Sequence, residues 1–184
     1  MTDKIKKITS IWDKVEARWP AHLSVSDYAE PANFNTLKEK MENFLIEREV
    51  AVQGFSHFGF VVNSIESSVD ILKKYDRENY SELKKVWVEA YSVYVGRIIF
   101  DRKELEFIAP LGKSFFKTFL NEEGEGFHHI AFEVDNIDSC LGRLKTHGVE
   151  SIDKEPLSGS HGKIAFLIPG LFGKMCIELF QKYI

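Results

Sequence analysis

Two histidines and two glutamates recur in this chain at one spacing. His57 and His129 are 72 residues apart, and Glu106 and Glu178 are also 72 residues apart, so each histidine is followed by a glutamate after 49 residues. A shared period of this kind indicates a duplicated supersecondary unit, and it constrains the architecture before any single residue is interpreted. We therefore predict two copies of one unit that face each other.

The sequence around each histidine repeats as well. Segments 57–67 and 129–139 are identical at five of eleven aligned positions. Each begins as an alternating strand in which the histidine shares its face with a small residue, Gly59 or Ala131, which leaves room for a ligand. Further apolar, β-branched segments divided by turns follow in both copies. The repeated unit is therefore predicted to be βαβββ.

Each copy also carries a helix-start signal directly after its first strand. Asn63 with Glu66, and Asp135 with Asp138, have the pattern of a capping residue followed by an acid three positions later. We expect a helix to begin at each of these places.

These patterns predict an α+β protein: two tandem βαβββ modules forming a mixed sheet, with an N-terminal helical extension. The first module is predicted at 53–123 and the second at 124–184, so that 53–184 forms one domain. Residues 1–52 lie outside the repeat. Their apolar periodicity predicts a helix that ends at Pro20 and another from about residue 35 to 48. This extension would pack on a sheet edge or an interface, or act as a lid.

Composition excludes several classes of protein. The 184 residues carry a formal charge of -4, which disfavours a nucleic-acid partner because phosphate binding needs a concentrated basic face. No apolar run is long enough to cross a bilayer, and the first residues lack the apolar core of a secretory signal. We expect no membrane partner and a cytoplasmic location. Cys140 and Cys176 have no CxxC-type neighbour, so they are interpreted as buried thiols.

The four recurring residues form a chemically sensible ligand set. Two neutral imidazoles and two carboxylates suit a divalent first-row metal, and the two negative charges balance the cation. We predict that His57, Glu106, His129 and Glu178 bind a divalent ion, with Co, Ni, Zn and Mn not distinguished. A lone histidine or glutamate usually has a structural role. For these four residues, the shared 72-residue spacing favours metal binding instead.

The remaining histidines lack this support. His128 neighbours a predicted ligand, but strand alternation turns it to the opposite face, and its counterpart in the first copy is a serine. His22, His147 and His161 have no counterparts in the repeat. They are interpreted as surface or substrate-side residues.

Three segments, 124–137, 159–169 and 176–179, resemble the vicinal oxygen chelate superfamily (glyoxalase, bleomycin resistance, dioxygenase), and within it most closely the methylmalonyl-CoA epimerase family. The resemblance covers roughly residues 54–184. It implies that the four ligands bind the metal on the floor of an open, curved sheet. The chain departs from the family on the substrate side, since residues 73–80 contain no glycine stop after the first helix, and Glu106 stands where the epimerases can carry glutamine.

The resemblance implies a metal-dependent isomerase or epimerase that removes a proton next to a carbonyl in a methylmalonyl-CoA-like substrate, through a metal-stabilised enolate. The catalytic base would be a carboxylate: Glu178 or Glu106, with Glu133 as a weaker third candidate. A lactoylglutathione lyase of the glyoxalase I type is the first alternative, and a non-catalytic small-molecule binding or resistance protein is the second. The expected partner is a small molecule, an acyl-CoA or a thiol adduct, and the protein is a possible homodimer.

Overall fold

The structure is a computed structural model, and it describes residues 34–75, 80–100, 102–159, 161–170 and 172–183. The helices are α1 (Phe34–Ile46), α2 (Ile65–Tyr75), α3 (Phe115–Glu123) and α4 (Ile137–Thr146), with a 3-10 helix at Glu89–Tyr91. The strands are β1 (Val52–Val61), β2 (Lys84–Val88), β3 (Val93–Phe100), β4 (Lys103–Pro110), β5 (Gly126–Val134), β6 (Leu157–Ser158), β7 (Gly162–Phe166) and β8 (Cys176–Lys182).

The eight strands form one sheet in the order β2-β3-β4-β1-β5-β8-β7-β6. The sheet is mixed, because β5 and β8 run parallel while β2, β3 and β4 pair antiparallel. Along the chain, β1-α2-β2-β3-β4 and β5-α4-β6-β7-β8 are two copies of a βαβββ unit. The predicted α+β fold with tandem βαβββ modules is thus confirmed. None of the helices described has the length and apolar character required to span a bilayer.

The described residues divide into two compact units, 59–128 on the one hand and 34–58 with 129–183 on the other. The division falls within strands β1 and β5. In the first unit β2, β3 and β4 form an antiparallel meander, in which Arg97 of β3 lies opposite Glu106 of β4. Aromatic rings fill its core: the Phe60 ring lies 5.8 Å from Phe107 and 5.6 Å from Phe127.

The second unit is built around β8, which pairs in parallel with β5 and antiparallel with β7. Helix α1 buries Leu37, Met41 and Leu45, as its predicted apolar face required. The Phe44 ring packs edge-on to Phe172 at 5.5 Å, so α1 contributes to the core of this unit. The predicted helix that ends at Pro20 lies outside the described residues.

Both modules start their helices one residue later than predicted. Ser64 Oγ accepts a hydrogen bond from the Ser67 amide at 3.2 Å, and the Asn136 side chain accepts one from the Ser139 amide at 2.8 Å. The predicted caps at Asn63 and Asp135 are therefore wrong. In the first copy the backbone after β1 is held by other partners, because the Val62 amide bonds to the Ile108 carbonyl at 2.9 Å and the Asn63 amide bonds to the Glu125 carboxylate at 2.7 Å.

Helix α2 lies close to the sheet at a glycine. A Cβ on Gly96 would be 2.5 Å from Ile65 Cγ2 and 3.0 Å from Leu83 Cδ1, well inside van der Waals contact. Ile65 is 1% exposed, so the first residue of α2 is anchored in the core of the first unit. The absence of a side chain on Gly96 lets α2 pack against strand β3.

Helix α3 was not predicted, although it carries a recognisable start. Ser114 Oγ accepts a hydrogen bond from the Lys117 amide at 3.3 Å, which satisfies one unpaired donor of the first turn. The helix buries Phe116, Phe119 and Leu120 in the first unit. It lies between the two modules and has no counterpart in the repeat.

Candidate metal centre

Three neighbouring strand segments of the second unit carry a buried cluster of two histidines and a glutamate. His57 lies on β1, His129 on β5 and Glu178 on β8, and each side chain is at most 1% exposed. Ala131 of β5 is the register partner of Glu178. Because side chains alternate along a strand, His129 shares the face of Ala131 and therefore also that of Glu178.

Three atoms of this cluster form a small triangle. Glu178 Oε2 lies 3.0 Å from His129 Nε2 and 3.2 Å from His57 Nε2, and the two Nε2 atoms are 3.4 Å apart. The imidazole rings meet edge to face, with centroids 5.5 Å apart and planes at 84°. The structure therefore brings three of the four predicted ligands together within one unit, with their coordinating atoms converging.

Neighbouring side chains orient the imidazoles. Ser56 Oγ lies 3.0 Å from His57 Nδ1, within hydrogen-bond distance. The Phe166 ring stands edge-on to His129 with centroids 5.1 Å apart. A hydrogen bond at one imidazole nitrogen fixes the ring so that the other nitrogen is available as a ligand, which is the usual support of a metal-bound histidine.

The Glu178 carboxylate is charged despite its burial. Burial by itself raises its pKa, but His57 and His129 outweigh that effect through charge and hydrogen bonding, so the pKa of Glu178 lies below its ordinary value. Its Oε2 atom is nevertheless without an aligned hydrogen-bond donor among the described residues. A buried carboxylate oxygen in this state is costly unless something positive satisfies it.

A divalent cation fits this triangle. Ligands about 2.1 Å from an ion lie about 3.0 Å apart at a right angle and about 3.4 Å apart at a tetrahedral angle. The three measured separations, from 3.0 to 3.4 Å, fall in that range. Two imidazoles and one carboxylate also match the donor types that first-row divalent metals prefer. The residues present thus form a buried His/Glu cluster that could hold a metal.

Glu106 lies in the first unit, on β4, and its side chain is also buried, at 5% exposure. Arg97 of β3 donates to it: both Nε and Nη2 are 2.6 Å from Glu106 Oε2. This arginine was not identified from the sequence. Its pairing with Glu106 depends on the register of the β3–β4 hairpin, which no motif in the sequence specifies.

Glu133 occupies a different environment from the other candidate bases. Its side chain is 30% exposed, and its Oε2 lies 2.5 Å from Lys182 Nζ at the end of β8. The structure does not include it in the buried His/Glu cluster. Glu133 lies on the same strand face as His129, but it is two alternation steps further along β5, where the side chain is partly exposed to solvent.

The other histidines are placed as strand alternation and the repeat indicated. His128 is buried on the opposite side of β5 from His129, with its ring 4.9 Å from both Phe116 and Phe119. His147 and His161 are exposed. His22 lies outside the described residues.

Comparison with known proteins gives a consistent result. A sequence profile of the Glyoxalase/Bleomycin resistance protein/Dioxygenase superfamily matches residues 56–166. The mitochondrial methylmalonyl-CoA epimerase of Dictyostelium discoideum is 29% identical over 138 residues, which cover 73% of this chain and 81% of that protein. The mitochondrial methylmalonyl-CoA epimerase of Homo sapiens is 31% identical over 129 residues, which cover 68% of this chain and 72% of that protein.

A solved structure shows the same fold. A Streptomyces coelicolor methylmalonyl-CoA epimerase variant in complex with 2-nitronate-propionyl-CoA matches with a TM-score of 0.65 at 22% identity, covering 73% of this chain and 100% of that chain. The profile extends over more than half of the sequence and includes two of the clustered residues. The resemblance seen in segments 124–137, 159–169 and 176–179 is confirmed: the chain belongs to the Glyoxalase/Bleomycin resistance protein/Dioxygenase superfamily.

Proposed function

We propose that this chain is a metal-dependent isomerase that epimerises the carbon next to the thioester carbonyl of a methylmalonyl-CoA-like substrate. Two relatives that align with more than two thirds of the chain are methylmalonyl-CoA epimerases, which supports the reaction class. The observation that supports the catalytic part is the buried Glu178 Oε2, which lies within 3.2 Å of two imidazole nitrogens and has no aligned hydrogen-bond donor in the part of the chain that the structure describes.

We propose that Glu106 joins His57, His129 and Glu178 as a fourth ligand of one divalent ion, with Co, Ni, Zn or Mn as candidates. The two glutamates occupy corresponding places, since each lies on the last strand of its βαβββ copy and pairs with the strand before it. Both are buried. The pairing of two histidines and two glutamates at the same 72-residue spacing supports this set.

A bound divalent ion would supply a Lewis acid that stabilises the negative charge of an enolate oxygen. The two histidines would hold their Nε2 atoms towards that ion, with Ser56 orienting the ring of His57. Glu178 would take the α-proton of the substrate on its carboxylate. The electron pair of the broken C–H bond would move into the enolate. A solvent water would then donate a proton to the opposite face of the α-carbon, which inverts the centre, and Glu178 would return its proton to solvent.

Among the three candidate bases, the pairing of each carboxylate favours Glu178. Glu106 is held by two donors of Arg97, and Glu133 is paired with Lys182. A guanidinium or ammonium that holds a carboxylate oxygen competes with a proton for that oxygen. The ion-pair partners of Glu178 among the described residues are the imidazoles of His57 and His129 rather than an arginine or a lysine, so we choose Glu178 as the base. It would act in this role when its carboxylate loosens from the ion.

The test is solvent exchange at the α-carbon. The purified, Co²⁺-loaded protein is incubated with methylmalonyl-CoA in deuterated buffer, and loss of the α-proton signal is followed by NMR together with interconversion of the epimers. The proposal expects exchange that disappears after chelation and returns when Co²⁺ is restored. Parallel incubations with the hemithioacetal of methylglyoxal and glutathione test the lyase chemistry of the same superfamily. Turnover of the hemithioacetal without exchange of methylmalonyl-CoA would overturn the proposal.

A further inference from the structure

The environment of Glu106 contains a feature that the proposed ligand set does not require. Arg97 sits directly across the β3–β4 pair from Glu106, and two of its nitrogens converge on one carboxylate oxygen at 2.6 Å each. Its third nitrogen, Nη1, lies 3.6 Å from Glu104 Oε1, one alternation step along β4. The guanidinium is thus held between two glutamates on the same face of the meander.

The second copy has no equivalent of this arginine. The register partner of Glu178 on β7 is Phe166, an uncharged side chain that is 1% exposed. The two glutamates that the 72-residue period makes equivalent in sequence are therefore unequal in surroundings. One carboxylate is restrained by a planar, permanently charged group, whereas the other faces an aromatic ring.

We propose that Arg97 is a positioning residue for Glu106: it holds Oε2 and so sets the carboxylate plane with Oε1 presented to the cation. This rests on the proposed role of Glu106 as a ligand. A carboxylate on a flexible side chain loses rotamer entropy when it binds a metal, and a neighbour that has already fixed it reduces that cost. Partners of this kind support metal ligands in many proteins, and their loss costs about 10–100-fold in metal affinity.

Charge and orientation predict opposite effects for this arginine. A guanidinium near a cation site repels the ion, so removing it would tighten binding if charge were its main contribution. Removing it would weaken binding if orientation of Glu106 were its main contribution. A lysine at position 97 distinguishes the charge contribution from the orientation contribution. Its ammonium group keeps the positive charge but cannot form the planar, two-pronged hydrogen bonds of the guanidinium.

The experiment measures the affinity of the full chain for Co²⁺ by competition with a chromophoric chelator. Arg97→Met is expected to lower the affinity about 10–100-fold, and Arg97→Lys is expected to lower it as well. The matched control is Arg143→Met, because Arg143 is an exposed arginine on α4 that donates a hydrogen bond to the Glu49 carbonyl. Circular dichroism and a melting curve establish that each variant is folded.

A double variant tests whether Arg97 acts through Glu106. In a Glu106→Ala background, Arg97→Met should change the affinity less than twofold, because the ligand that it orients is already gone. Unchanged or tighter Co²⁺ binding by Arg97→Met would overturn the inference. If Arg97→Met does not fold, full Co²⁺ affinity in Arg97→Lys would overturn it. If Glu106→Ala itself binds Co²⁺ like the natural chain, the proposed ligand set fails instead, so the two failures are distinguishable.

Discussion

Glu178 Oε2 and His129 Nε2 lie 3.0 Å apart, with both side chains at most 1% exposed. Two strands that pair in parallel bring these atoms together from positions 49 residues apart in the chain. A carboxylate and an imidazole buried this closely either share a proton or share a cation. The second imidazole of His57, 3.2 Å from the same oxygen, favours the cation.

Loss of one imidazole should remove the metal. We expect His129→Ala to lower the bound Co²⁺ at equimolar concentration from about one ion per chain to well under a tenth, because the remaining ligands no longer surround the ion. The measurement is elemental analysis after gel filtration. His147→Ala is the matched control, since His147 is exposed on the surface. Equal metal content in the two variants would mean that His129 is not a ligand.

Replacing the proposed base should slow exchange of the α-proton while the protein stays folded. Glu178→Gln keeps the size of the side chain but removes its ability to take a proton, so α-proton exchange should fall at least about 10²-fold. Glu133→Gln alters an exposed carboxylate paired with Lys182 and should stay within about threefold of the natural rate. The rates come from the NMR exchange assay, each normalised to bound metal. A greater loss in Glu133→Gln than in Glu178→Gln would reverse the assignment.

The close approach of α2 to the sheet should make Gly96 intolerant of a side chain. Gly96→Ala places a methyl group 2.5 Å from Ile65 Cγ2, so we expect the free energy of unfolding to fall by about 1–3 kcal/mol. Gly142→Ala on α4 is the matched control, because that position has open space and alanine favours a helix. Urea denaturation measures both. An unchanged free energy of unfolding in Gly96→Ala would show that α2 can move away from the added methyl group without loss of stability.

The corrected position of the cap on α2 can be tested by comparing variants of the two candidate residues. Ser64→Ala removes an acceptor for the Ser67 amide and should lower the free energy of unfolding by about 1 kcal/mol. Asn63→Ala changes the neighbouring residue, whose backbone amide donates to the Glu125 carboxylate and is kept in the variant, so it should lower the free energy of unfolding less. Chemical denaturation under identical conditions shows which of the two variants loses more free energy of unfolding. A larger loss in Asn63→Ala would restore the cap expected from the sequence.

Burial raises the pKa of Cys176 to about 12, from 9.0 for an ordinary thiol. Above pH 9 the unfolded chain releases this proton while the folded chain keeps it, so the stability that the group supplies at lower pH is lost as pH rises towards 12. The loss is at most about 1.4 kcal/mol per pH unit. We expect Cys176→Ala to show a shallower fall in unfolding free energy above pH 9 than the natural chain. An equally steep fall in unfolding free energy above pH 9 in both proteins would contradict this expectation.

The paired histidines and glutamates were identifiable because a duplication copies residue type and spacing together. His57, His129 and Glu178 lie in the buried cluster for this reason, and His128 is excluded from it because alternation along a strand is a local property. The helix starts were less accurate. The cap lies one residue later in each copy, at Ser64 and Asn136, because two adjacent residues in each copy have side chains that can cap a helix and the sequence pattern does not choose between them.

The amino-acid sequence by itself determined the two βαβββ copies, the family and the candidate ligands, because periodicity, alternation and residue chemistry are all properties of neighbours along the chain. Only the tertiary structure decided that Arg97 holds Glu106, that Lys182 holds Glu133 and that Phe166 lies opposite Glu178. These contacts depend on strand register, and a shift of one residue would turn every side chain to the other face. The three carboxylates therefore differ through their cross-strand partners, which the spacing of the acids alone does not specify.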